Sequence, residues 1–179
     1  MTTETLDEIL AAGRSLPQNV FDGDDLPLPN SQTLKPELQW RQLESGDRER
    51  LIKDVAGITE QNDLVRTLFL LWTWESESDL RGKIVTSFPL EPGAESVPPL
   101  LLICLHEVPG ATGSIVIEKA KERLRAIASG ESPVVPVRHR VRTLGAPVKT
   151  AFDRAPSRTA IGALATIEAV EANRRLVTR

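Results

Sequence analysis

Residues 59–74 constrain this chain more than any other stretch. Leu64, Val65, Leu68, Phe69 and Trp72 recur at helical spacing, and every position over 68–72 is apolar. A helix that is apolar nearly all round has no face to offer to water, so other elements must enclose it on more than one side. The segment is therefore expected to be the central core element, with the remaining segments packed around it.

The rest of the chain is long enough to supply that enclosure. At 179 residues, with 40% hydrophobic and 26% charged residues, the composition is that of an ordinary folded domain rather than a disordered, collagen-like or coiled-coil chain. The single cysteine, Cys104, rules out an internal disulfide or a cysteine-only zinc site, which points to a reducing compartment. Glu4, Asp7 and Glu8 lie where a secretory signal would need positive charge, and no run approaches the length of a membrane span. A cytoplasmic protein with no membrane association and no cofactor is expected.

Periodicity and breakers divide the sequence further. Leu6, Ile9 and Leu10 predict a short helix over 5–12, with Gly13 placed to end it in a left-handed conformation. Over 14–39, Pro17, Pro27, Pro29 and Pro36 together with the turn-forming Asp22, Gly23, Asp24 and Asp25 predict an extended arm. Leu51, Ile52 and Val55 predict a helix over 45–56. Short apolar runs over 83–88 and 100–105, bounded by Gly82, Pro89, Pro98 and Pro99, predict buried strands. Helical spacing returns over 114–128, although residues 115–117 are also compatible with a strand. It returns again from Ser157 to about Arg175, where Ile161, Leu164, Ile167 and Val170 form the apolar side. Residues 133–142 alternate strictly, with Val135, Val137, His139 and Val141 on one side and Pro136, Arg138, Arg140 and Arg142 on the other; that pattern predicts an edge strand with a basic outer face.

The expectation is an α+β fold: a small mixed sheet of three or more strands packed by about five helices, with an extended N-terminal arm. Residues 1–44 form the short helix and proline-rich arm, and residues 45–179 form a single domain.

Net charge is −3, but residues 1–100 carry 9 Lys and Arg against 18 Asp and Glu, whereas residues 101–179 carry 13 against 7. The acidic and basic halves attract each other, within one molecule or between molecules. Arg138, Arg140 and Arg142 are the most specific surface feature, since guanidinium groups about 6.5–7 Å apart on one strand face repel unless acidic groups answer them. Carboxylates would mean a protein partner or this chain's own acidic half; phosphates would mean nucleic acid or another anion. The low aromatic content and acidic pI favour protein. Trp74, if exposed, would anchor such a partner.

Other chemistry is weakly signalled. Cys104 and His106 share a strand face if residues 100–105 are a strand, the beginning of a nucleophilic pair, although the apolar neighbours of Cys104 would leave its thiol inert. The order Phe88-Pro89, Pro98-Pro99, Cys104-Leu105 resembles a short stretch of the ubiquitin-conjugating enzymes, in which a proline-bearing strand precedes a catalytic cysteine. The asparagine-containing motif before that cysteine is absent here, as is the full strand meander, and no family is assigned. Asp22, Asp24 and Asp25 lack the spacing of a calcium loop, His106 and His139 are too few for a zinc site, and the turn over 109–114 lacks the phosphate-loop lysine, so no metal site is expected. The favoured function is a non-catalytic interaction or assembly subunit, an adaptor or homo-oligomer; the alternatives are an anion or nucleic-acid binder using the three arginines and a thiol enzyme using Cys104.

Overall fold

The structure is a computed structural model that describes residues 3–17, 19–22, 25–90, 95–110, 112–130 and 159–177. Among the described residues there are eight helices and no strand: α1 Thr3–Arg14, α2 Ser31–Gln42, α3 Ser45–Ala56, α4 Gln61–Trp74, α5 Ser78–Thr86, α6 Val97–His106, α7 Gly113–Gly130 and α8 Ala160–Val177. The α+β expectation is overturned on this point. The alternating segment 133–142 lies outside the described residues.

The architecture follows from α4. Leu64, Val65, Thr67 and all positions over 68–72 are buried, as is Trp74 at its end. Helices α1, α2, α3 and α5 pack against it, and α5 carries the core onward to α7, which packs in turn on α6 and α8. Phe69 is the aromatic centre, edge-on to Phe21 at 5.1 Å and stacked on Trp72 at 5.7 Å between ring centroids. Burying each such side chain contributes roughly 1.5–3 kcal/mol, which outweighs the modest helix propensities of Val65, Thr67 and the two tryptophans.

The two expected strands that fall among the described residues, over 83–88 and 100–105, lie in or against helices for local reasons. Over 97–106, Pro98 and Pro99 occupy the first turn of α6, where a missing N–H breaks no intrahelical bond. The apolar run that follows buries Leu100, Leu102, Ile103, Cys104 and Leu105, and a helix enclosed on most sides gives the same unbroken hydrophobic signal as a buried strand. Over 78–86, Gly82 is not a boundary. It lies inside α5 where α7 crosses closely, and a Cβ there would come within 2.6 Å of Lys119 Nζ.

The N-terminal arm is likewise corrected. Asn30 caps α2: its Oδ1 accepts from the backbone N–H groups of Gln32 at 2.9 Å and Thr33 at 3.0 Å, while Thr33 Oγ1 accepts from Asn30 N–H at 2.9 Å. Thr33, Pro36 and Trp40 then form one buried stripe, so Pro36 sits within the helix and contributes its ring to the core. Ile9, Ala12 and Trp40 belong to the same buried cluster as Leu68 and Phe69. Gly13 also departs from expectation, lying inside α1 rather than terminating it. Its bare Cα lets α1 approach α4 so closely that a Cβ would lie 2.3 Å from Thr67 Oγ1 and 3.1 Å from Thr67 Cα.

Candidate functional site

Two carboxylates lie at the ends of the most apolar helices, and both are enclosed. Glu75 follows α4 and is 1% exposed; Glu107 follows α6 and is 6% exposed. A charge in such a place persists only with charged or hydrogen-bonding partners. Glu75 Oε1 accepts from Arg48 Nη1 of α3 at 2.6 Å and from the N–H groups of Ser76 and Glu77 at 2.8 Å each. Arg48 also donates through Nη2 to Glu77, which in turn accepts from Ser45 Oγ at 2.7 Å.

Glu107 is held similarly. Its Oε1 accepts from Arg81 Nη1 at 2.7 Å and its Oε2 from the Trp72 indole N–H at 3.1 Å. Arg81 lies over the Trp72 ring, 5.3 Å from its centroid, and donates through Nε to the Glu75 carbonyl at 2.7 Å. Thus one arginine joins both carboxylate centres, and the network ties α3, α4, α5 and α6 together. Among the described residues, Arg48 Nε and Glu75 Oε2 are buried without a hydrogen-bond partner, but the other polar atoms of the network join helix ends, so its chemistry is that of a polar lock.

Cys104 lies on α6 and is 4% exposed. Its S–H faces the Ile117 carbonyl of α7 at 3.9 Å. Burial, with smaller opposing and reinforcing effects from nearby charges, pushes its pKa up to about 12. Because residues two apart on a helix point about 200° apart, the helix also turns the exposed His106 away from the buried Cys104. The strand-based pairing of thiol and imidazole is therefore absent from the fold. Nearby, Lys121 of α7 bonds Glu171 of α8 at 2.5 Å and Glu118 at 3.1 Å. Burial works to lower the Lys121 pKa, but those two carboxylates outweigh it and the pKa is raised.

The surface around α1 and α2 is more open. The connection between them and its flanks enclose a groove of about 620 Å³, with Leu16, Val20, Leu26 and Leu28 among its walls and Asp22 and Asp25 beside them. A second groove of about 500 Å³ runs between α1 and α2 and is bridged by Lys35 and Glu8 at 2.6 Å. Leu28 is 85% exposed, Leu34 50% and Leu38 54%. The last two stand one turn apart on the outer side of α2.

Of the residues singled out in the sequence, Trp74 is only 5% exposed, so it lacks the exposure an anchor requires. Arg138, Arg140 and Arg142 lie outside the described residues. Glu75, Arg48 and Arg81 were not singled out, although an acidic residue directly after an all-apolar helix signals a buried partner. Among the described residues, no group of three or more His, Cys, Asp or Glu side chains could hold a metal ion, and no helix is long and apolar enough to cross a membrane. No family model, curated protein or solved structure matches the chain.

Two outcomes follow from this geometry. Glu75→Ala should lower unfolding free energy by about 2–3 kcal/mol in denaturant titration, because it removes the buried carboxylate from Arg48 and the acceptor of the Ser76 and Glu77 N–H groups, leaving Arg48 with the more exposed Glu77. Glu77→Ala, removing a carboxylate that is 45% exposed, should cost less than about 1 kcal/mol; equal losses would show that Glu75 is no lock. For Cys104, the folded pKa lies above the ordinary 9.0, so its contribution to stability is complete below about pH 9 and is lost as pH rises toward about 12. Cys104→Ala should flatten the alkaline limb of the stability curve, and the native thiol should resist iodoacetamide at pH 7 until the protein unfolds. Rapid native labelling would contradict the burial.

Proposed function

We propose that this chain is a non-catalytic protein-interaction or assembly subunit, an adaptor within a larger complex or a homo-oligomer. The observation that carries this reading is the apolar surface of the α1–α2 region: Leu28, Leu34 and Leu38 are held out in water on neighbouring stretches of chain, flanked by open grooves. Apolar side chains that the fold does not use for its own core are suited to contact with another protein. The opposed charge balance of the two halves of the sequence supplies orientation and encounter rate.

The setting of the only thiol supports the same reading over thiol chemistry. A buried group with a pKa near 12 is in its thiolate form only about once in 10⁵ molecules at pH 7, too rarely to serve as an efficient nucleophile. The buried glutamates are occupied by arginine, backbone and indole donors. Neither group supports bond-making chemistry at a surface that a substrate could reach.

Native mass measured at two protein concentrations, together with identification of any co-purifying protein, tests the proposal. The expected result is a concentration-dependent oligomer or a stoichiometric partner. A monomer at both concentrations with no partner would overturn it, and oligonucleotide binding that weakens steeply with added salt would replace it with the anion-binding reading.

A further inference from the structure

We draw no further inference here: the strongest candidate, the outward face of α2 that carries the exposed Leu34 and Leu38, is an apolar face with nothing in the structure to show what covers it, since Lys35 and Arg41 beside it are already paired with Glu8 and Glu37.

Discussion

Burial of α4 on nearly every side is the constraint to which the rest of this structure answers. The helix has little polar surface to present to water, so α1, α2, α3 and α5 are arranged to cover it. The covering helices are short and individually marginal in water, and their stability comes from this shared contact rather than from intrinsic propensity. Close approach is achieved where side chains are small: Gly13 admits Thr67, and Gly82 admits Lys119.

An apolar centre of this kind creates a problem where its helices end, because terminal carbonyls and N–H groups remain to be satisfied. The chain meets it with charge. Glu75 accepts the N–H groups of Ser76 and Glu77 as α4 gives way to α5, and Arg81 takes the Glu75 carbonyl while binding Glu107 at the end of α6. Arg174 of α8 reaches the Leu105 carbonyl at 3.0 Å in the same manner. Such buried pairs add little net stability compared with an apolar replacement, but removing one partner is severe, so they fix which helix ends meet. Outside this closed interior, the α1–α2 region holds open grooves and exposed leucines, and Val108, Ile115 and Leu176 are exposed elsewhere on the surface.

The helices with strong amphipathic spacing were legible in the sequence. The central role of residues 61–74 could be read from the unbroken apolar stretch; on the expected apolar side of α8, Ile167 and Val170 are buried, whereas Ile161 is 47% exposed. The segments around Gly82 and Pro98 were not legible, because a short apolar run between breakers fits a strand or an enclosed helix equally well. There the decisive facts were tertiary, the crossing of α5 on α7 and the placing of two prolines in a first turn. The helix containing Pro36 was obscured by its proline, although Asn30 and Thr33 were in place to cap it. The position of Glu75 after an all-apolar helix hinted at a buried partner, but local reading could not name it, since Arg48 and Glu75 are 27 residues apart and only the fold brings them together. The charge asymmetry was legible throughout, but its use depends on contacts that sequence pattern alone does not assign.

Native-state hydrogen exchange along the chain tests the central role of α4 most directly. If the helix is the enclosed core, its amides over 64–72 should exchange only through global unfolding, with opening free energies equal to that of the whole protein and at least as large as those of any other helix. Exchange of those amides through a local opening, while α6 and α7 stay protected, would contradict the account.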